Sequence, residues 1–255
     1  MPAYFFWRAI LILFLSALLI APWAIFWQQS YQSSLPIYPI PEDATEARKA
    51  HMVNNLLPAI QRNNRALLKQ REKAHKLFAR AENNRDLRKR ELKWLNQQGK
   101  HYRLPETEAP DVEWLSLLLR RLDIIPADLA LAQAAMESAW GTSRFATEGD
   151  NYFGQWCFSR GCGIVPSQRP AGASYEVETF DSVEDSVQRY MLNLNSHPRY
   201  TQLRLLREAQ RKEQRPVDGQ ELAAGLHGYS AIGDTYIRTL RALIRANDFQ
   251  RFDNH

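Results

Sequence analysis

Glu137 is the residue of this sequence whose surroundings best suit acid–base chemistry. A helix is predicted over residues 128–140, which places its carboxyl group in the last turn among Ala134, Met136 and Trp140. Apolar neighbours and the negative end of the helix dipole both disfavour a charged carboxylate, so they raise its pKa. A carboxylic acid still protonated near neutral pH can donate its proton to a glycosidic oxygen. The alternative is an ordinary glutamate on a solvent-facing helix surface.

The elements around Glu137 predict a mostly helical α+β domain over residues 104–250. Pro126 separates the helix of Glu137 from a preceding helix over residues 114–125, and Gly141 is expected to close it in a left-handed conformation. Residues 150–178 are rich in glycine, aromatic and β-branched residues without helical periodicity, which predicts loops and short strands. Further helices are predicted from residue 183, over residues 198–212, from Asp218, and over residues 234–246.

Residues 9–27 form a run of 19 residues without charge, long enough to cross the hydrocarbon core of a membrane as a helix. Arg8 precedes the run and aromatic residues flank both ends, so residues 1–30 are predicted to be a transmembrane anchor with the rest exported. We therefore expect a single-pass membrane protein whose C-terminal domain is exported. A cleaved signal peptide and a buried core helix are the alternatives.

Residues 31–103 are predicted to be a proline-containing linker followed by a basic helical stalk. Residues 44–103 hold 16 Lys and Arg against 5 Asp and Glu, although the formal net charge of the whole chain is only +5. This surplus fits attraction to anionic lipid or wall polymers, or simply a solvated helical surface. Pro58 is expected to kink or restart the helix. Nucleic acid is not an expected partner, because export removes it and no recognition motif is present.

The sequence Glu-Ser-Ala-Trp-Gly-Thr-Ser at residues 137–143, then Asn-Tyr-Phe-Gly at residues 151–154, resembles the signature of bacterial peptidoglycan N-acetylglucosaminidases. These enzymes form glycoside hydrolase family seventy-three, which includes flagellar-rod and autolysin types. Gly-Tyr-Ser at residues 228–230, with Tyr236 beyond it, is similar to a later element of that family. The anchor and the segment containing Cys157 and Cys162 look most like its membrane-anchored Bax-type members.

The resemblance implies a lysozyme-like fold with a groove between a helical lobe and a β-lobe. It places the general acid on Glu137 and a groove tyrosine, which orients the N-acetyl group or steadies the cationic transition state, on Tyr229. The residues it places at the groove wall or against sugar rings are Asn151, Tyr152, Phe153, Gly154, Trp156 and Trp140.

The second carboxylate of the family has no counterpart near residues 163–166. Glu176 and Glu178 follow on a predicted strand, and Glu176 is the preferred candidate. The other possibility is assistance from the acetamido oxygen of the substrate. Retention or inversion of configuration therefore stays open.

Cys157 and Cys162 lie in a glycine-containing loop, and in an oxidising periplasm a disulfide between them is expected, with two free thiols as the alternative. No Cys/His metal cluster is present in the sequence, and the expected chemistry needs no metal or cofactor.

The resemblance, together with the export signal, implies a peptidoglycan hydrolase anchored in the inner membrane, with its C-terminal domain in the periplasm, that acts on glycan strands and cleaves the β-1,4 bond after N-acetylglucosamine. Two other functions remain open at this point. One is a muramidase or lytic transglycosylase, and the other is a wall-binding scaffold without catalytic activity.

Overall fold

Helix α1, Ala44–Glu82, opens the part of the chain described by the structure, a computed structural model that covers residues 41–230 and 233–253. Asp43 begins it by accepting hydrogen bonds from the backbone N–H groups of Thr45 and Glu46, both at 2.9 Å. Pro58 lies inside this helix and neither ends nor restarts it. The segment predicted to cross the membrane, residues 9–27, lies outside the described residues. Among those described, no helix has both the length and the apolar character that crossing a bilayer requires.

Helices dominate the remaining chain, and a small antiparallel sheet interrupts them, which confirms the predicted α+β class. The helices are α2 Lys89–His101, α3 Val112–Arg121, α4 Ala127–Glu137, α5 Arg144–Gly149, α6 Val183–Ser196, α7 Thr201–Lys212, α8 Gly219–Leu222 and α9 Asp234–Ala246. Short 3₁₀ turns occupy Pro198–Tyr200, Ala223–Leu226 and Phe249–Phe252. The strands are β1 Trp156–Cys157, β2 Gly163–Ile164 and β3 Glu176–Glu178.

The segment expected to be a separate basic stalk is part of the folded domain. The N-terminal half of α1 buries an apolar stripe that includes Val53, Leu56 and Ile60, and the helix as a whole packs against α3, α4 and α6. Farther along, Leu77 joins Leu95 of α2 in one core cluster with residues of α3. Residues from Pro41 onward therefore form one compact unit, and the predicted boundary at residue 104 is not a structural boundary. Most of the basic residues are exposed, on the side of the helices opposite the apolar one.

Helix α4 is the most enclosed element of the described chain. Its residues from Ala127 to Ala135 are all buried, among α1, α8, α9 and the last 3₁₀ turn. The helix ends at Glu137, three residues before the predicted end. There the hydroxyl of Ser138 donates to the carbonyl of Ala134 at 2.6 Å and accepts from the N–H of Gly141 at 2.7 Å. Residues 139–141 then all adopt positive φ angles, which turns the chain sharply away.

The sheet has the order β1-β3-β2, so the later strand lies between the two earlier ones. Trp156 pairs with Val177, and Gly163 pairs with Glu178. A Cβ atom at Gly163 would lie 1.9 Å from the carbonyl oxygen of Val177, so only glycine allows this close pairing. Just before β1, Nε2 of Gln155 donates to the carbonyl of Ser186 at 3.1 Å, which connects this region to the start of α6.

Burial in α1 gives a direct test of the single domain. We expect Leu56→Ala, at a side chain with 0% exposure, to lower the free energy of unfolding by about 2–5 kcal/mol because it leaves a cavity. The matched change Leu68→Ala, at a side chain 44% exposed on the same helix, should cost less than about 0.5 kcal/mol. Urea unfolding followed by tryptophan fluorescence measures both. Equal effects of the two changes would mean that α1 does not belong to the domain core.

Candidate active site

The carboxyl group of Glu137 stands at the C-terminal end of α4 and lines an open cavity of about 910 Å³. Its Oε1 accepts a hydrogen bond from the hydroxyl of Tyr236 at 2.9 Å. Its Oε2 faces Gly154, where an added Cβ would lie 3.6 Å away. Burial raises the pKa of Glu137 above its ordinary value, and the hydrogen bond from Tyr236 only partly opposes this. The carboxyl group of Glu137 is therefore partly desolvated but still borders the cavity.

Three buried polar side chains form a hydrogen-bonded chain that ends on Glu137. The hydroxyl of Tyr190 donates to Oε1 of Gln133 at 2.7 Å, and Nε2 of Gln133 donates to the hydroxyl of Tyr236 at 3.0 Å. Tyr236 then donates to Glu137. Each donor in this series points toward Glu137. The Tyr236 hydroxyl therefore uses its one proton for the hydrogen bond to the carboxylate.

The sequence did not predict this series of hydrogen bonds. Of its members only Tyr236 was noted, and only through the resemblance. A signal for Gln133 was present: it is a polar residue in an apolar helix, one helical turn before Glu137. A buried amide requires partners, so Gln133 could have been predicted to contact other polar groups. The identity of those groups, on α6 and α9, is set by tertiary packing.

Tyr229, Phe153 and Gly154 also line the cavity with Glu137, as expected. The hydroxyl of Tyr229 donates to the carbonyl of Phe153 at 2.9 Å, and its ring stacks on Tyr236 with a centroid separation of 5.5 Å. The ring of Phe153 stacks on Tyr190 at 3.9 Å. Burial, with a further contribution from the nearby Glu137 carboxylate, raises the pKa of Tyr229 well above its ordinary value. These rings make a rigid wall beside the acid.

Trp156 supplies an aromatic surface at the mouth of the cavity. It is 48% exposed and packs against Tyr175 with ring centroids 4.1 Å apart. Phe158, which lines the same cavity, is 75% exposed. Exposed aromatic side chains of this size beside an open cavity are typical of a binding surface.

Three residues expected at the groove do not line the cavity. Trp140 packs against Phe249, with Lys49 over its ring. The hydroxyl of Tyr152, a buried residue, accepts a hydrogen bond from Asn55 of α1 at 2.7 Å. Both side chains therefore join the neighbourhood of the acid to other parts of the fold.

Asn151 is the third residue that does not line the cavity, and it organises the turn beside it. Its amide donates to the carbonyls of Gln155 and Glu178 at 2.9 and 2.8 Å, and its Oδ1 accepts from the backbone N–H groups of Phe153 and Gln155. This one side chain fixes the conformation of the chain at Phe153 and Gly154 and ties it to β3.

The two candidate second carboxylates lie in different surroundings. Glu178 lines the cavity and is paired with Arg189, Nε to Oε2 at 3.3 Å. Glu176 does not line it, because its carboxylate accepts from the backbone N–H groups of Gly161 and Gly163 at 3.1 and 2.9 Å. Those hydrogen bonds lower the pKa of Glu176. Glu178 therefore lies in the cavity, and Glu176, the candidate preferred from the sequence, does not.

Cys157 and Cys162 are joined by a disulfide that closes the loop between β1 and β2. Their sulfur atoms and the Glu176 carboxylate form a group compact enough to hold a metal ion. Sulfur in a disulfide carries no thiolate, however, so this group lacks the ligands that Zn²⁺ would need. The disulfide and Glu176 together brace the loop that carries Phe158.

A profile of the glucosaminidase family, described as mannosyl-glycoprotein endo-beta-N-acetylglucosaminidase, matches residues 113–249. The chain belongs to this glucosaminidase family. It is 37% identical over 136 residues to "Protein bax" of Escherichia coli strain K12, a match covering 53% of this chain and 47% of that protein. The chain thus matches about half the length of this relative. A solved structure with similarity is the catalytic domain of the autolysin Auto from Listeria monocytogenes, with a TM-score of 0.39 and 17% identity over 66% of this chain and 90% of that one.

The contact between Tyr236 and Glu137 gives a testable pH dependence. The Tyr236 hydroxyl stabilises the charged carboxylate, so Tyr236→Phe should raise the pKa of Glu137 further. If this glucosaminidase uses Glu137 in its protonated form, the alkaline limb of its kcat/KM profile should move to higher pH.

The control for this prediction is Tyr229→Phe, which removes a hydroxyl bonded to Phe153 rather than to Glu137. It should leave the alkaline limb in place even if it lowers the rate. Thermal unfolding of Tyr236→Phe should show a loss of about 1–3 kcal/mol, because Gln133 loses its acceptor. An alkaline limb that is unmoved or shifted to lower pH in Tyr236→Phe would contradict the prediction.

Proposed function

We propose that this glucosaminidase hydrolyses peptidoglycan, cleaving the β-1,4 bond after N-acetylglucosamine by general acid catalysis with Glu137 as the acid. One observation carries the proposal: a carboxyl group with a raised pKa lies at the edge of an open cavity that also presents aromatic rings. Protonation of the leaving oxygen and binding of a pyranose need these two features together. The helical lobe, the small sheet and the cavity between them are consistent with a lysozyme-like arrangement.

Tyr229 is proposed to act on the sugar at the point of cleavage. Its proton is engaged by the carbonyl of Phe153, so the hydroxyl oxygen keeps lone pairs available for a positively charged centre. An oxocarbenium-like transition state develops such a charge at the anomeric carbon. Stacking on Tyr236 holds the ring in place, so little reorganisation is needed at the moment of reaction.

Glu178 is the proposed second carboxylate, since it shares the cavity with Glu137 and is held by Arg189. A carboxylate in this position can activate water or stabilise the cationic sugar. Assistance from the acetamido oxygen of the substrate is the alternative, and it would make Glu178 dispensable for chemistry.

The proposed site of action is the periplasmic face of the inner membrane. The uncharged run at residues 9–27 supports an anchor, and the disulfide between Cys157 and Cys162 is compatible with an oxidising compartment. The glycan strands of the wall are then the polymer within reach of the domain.

The assignment of the acid is tested by Glu137→Gln, which keeps the shape of the side chain but removes its proton donor. We expect kcat on purified peptidoglycan to fall by about 10²–10⁴-fold. Glu148→Gln, an exposed glutamate on α5, is the matched control and should keep full activity. Mass spectrometry of the products should find N-acetylglucosamine at the new reducing ends. Reducing or anhydro N-acetylmuramic acid there would instead identify a muramidase or a lytic transglycosylase, and full activity of Glu137→Gln would refute the role of this residue.

The second carboxylate is tested by comparing Glu178→Gln with Glu176→Gln. If Glu178 acts in the cavity, its variant should lose at least about 10²-fold in kcat, whereas Glu176→Gln should mainly destabilise the disulfide loop. Initial rates on peptidoglycan and melting curves separate the two effects. A near-normal kcat for Glu178→Gln would favour assistance from the substrate. A greater loss of kcat in Glu176→Gln than in Glu178→Gln would instead favour Glu176, the candidate preferred from the sequence.

A further inference from the structure

Two exposed arginine side chains and a histidine form a cationic patch in the cavity that holds Glu137. The patch consists of Arg103, His197 and Arg199, all of which line the cavity. Neither arginine makes an ion pair with any residue in ranges 41–230 and 233–253. Arg189, the other arginine of the cavity, is paired with Glu178. The patch therefore offers positive charge that the protein itself does not neutralise.

A series of ring contacts connects this patch to the acid. The ring of His197 lies 5.8 Å from that of Tyr200, and Tyr200 lies 5.9 Å from Tyr229. Tyr229 stacks on Tyr236, which donates its hydroxyl proton to Glu137. The patch thus belongs to the same continuous wall as the catalytic candidates.

Arg103 reaches the cavity from the N-terminal helical segment. The family match begins at residue 113, so this side chain comes from outside the matched region. It lies just past the end of α2 with a φ of +57°, a conformation that usually favours glycine. Hydrogen bonds from Arg121 to the carbonyls of Tyr102 and Arg103 hold the backbone there. The backbone is thus held in a conformation that glycine would adopt more easily, and the residue there carries a charged side chain.

Arg199 and His197 are fixed by the backbone around them. The N–H of Arg199 donates to Nδ1 of His197 at 3.2 Å, so the neutral imidazole carries its proton on Nε2. One guanidinium nitrogen of Arg199 donates to the carbonyl of Gly228 at 3.1 Å, which leaves further N–H groups for a ligand. Desolvation is the main cause that lowers the pKa of His197. The positive charges of Arg103, Arg199 and Arg204 lower it further, in agreement with a surplus of positive charge around this side chain.

Resting on the function proposed above, we infer that this patch binds a carboxylate carried by the muramic acid units of the glycan strand. Guanidinium groups bind carboxylates in paired, charge-assisted hydrogen bonds, whereas a neutral polymer of N-acetylglucosamine has no group of that kind. The carboxylate can belong to the peptide stem or, when the stem has been removed, to the lactyl group itself. The patch then makes the enzyme selective for muramic acid-containing strands over neutral ones.

Binding to the full chain carrying Glu137→Gln tests the inference without depending on turnover. Three probes share one disaccharide of N-acetylglucosamine and N-acetylmuramic acid: one bears a peptide stem, one a free lactyl carboxylate, and one a neutral lactyl amide. Isothermal titration calorimetry should show tighter binding of at least one anionic probe than of the amide. Adding Arg103→Gln or Arg199→Gln should lower the affinity for that anionic probe by about 10-fold and leave the affinity for the amide probe unchanged. Added salt should reduce the preference.

Arg85→Gln, an exposed arginine between α1 and α2, is the matched control and should leave all three affinities unchanged. A preference for the stem-bearing probe alone assigns the contact to the stem, and a preference shared by the lactyl probe assigns it to the lactyl carboxylate. Equal binding of all three probes, or an equal loss for all of them in the arginine variants, would overturn the inference. Failure of the proposed function would appear separately, as absence of peptidoglycan cleavage by the chain with Glu137 intact.

Discussion

A helix enclosed on every side must satisfy each of its polar groups inside the protein, and this requirement shapes the site. Helix α4 can be so enclosed because alanine at five positions lets neighbouring helices approach closely. Gln133 is the polar side chain in the middle of that helix, and burial without partners would cost about 1–3 kcal/mol. Tyr190 and Tyr236 supply those partners. Tyr236 also donates to Glu137, so the hydrogen bonds that satisfy the buried amide of Gln133 also position the carboxyl group of Glu137.

The same enclosure explains why the N-terminal helices belong to the domain. Helix α1 covers α4 on one side, and Asn55 of α1 holds Tyr152 in the loop that follows the acid. Its positive surplus is therefore not the property of a separate stalk. At the far end of this segment, Arg103 brings part of that charge into the cavity. The N-terminal segment thus contributes both to the stability of the site and to its electrostatics.

The sequence was sufficient to predict most of the helices, the segment that holds the strands and the apolar setting of Glu137. It predicted neither α5 nor the hydrogen-bonded series that ends on Glu137. The successful predictions depend on local patterns: the apolar residues around Glu137, the helix start at Asp218, and the loss of helical periodicity after residue 150. Hydrophobic periodicity shows which face of α1 is buried but not which element covers it. Residues 31–103 therefore looked like a stalk.

The second carboxylate shows a further limit of sequence patterns. Glu176 and Glu178 are two residues apart on β3, so strand alternation gives them the same face and cannot distinguish them. What separates them is the disulfide loop, whose backbone N–H groups engage Glu176 and leave Glu178 in the cavity. The resemblance to the family also placed Trp140, Tyr152 and Asn151 at the groove. A shared motif does not say whether a side chain faces the cavity or the core.

Direct titration of Glu137 tests the central claim, that burial at the end of α4 keeps this carboxyl group protonated at higher pH than an ordinary glutamate. Carbon-detected NMR of the glutamate side-chain carboxyl groups, with Glu137→Gln used to assign the signal, gives its pKa in the free protein. The structure predicts a value above the ordinary one of about 4.3 for glutamate. A midpoint at or below that value would show that the group is charged and well solvated, and would contradict the account.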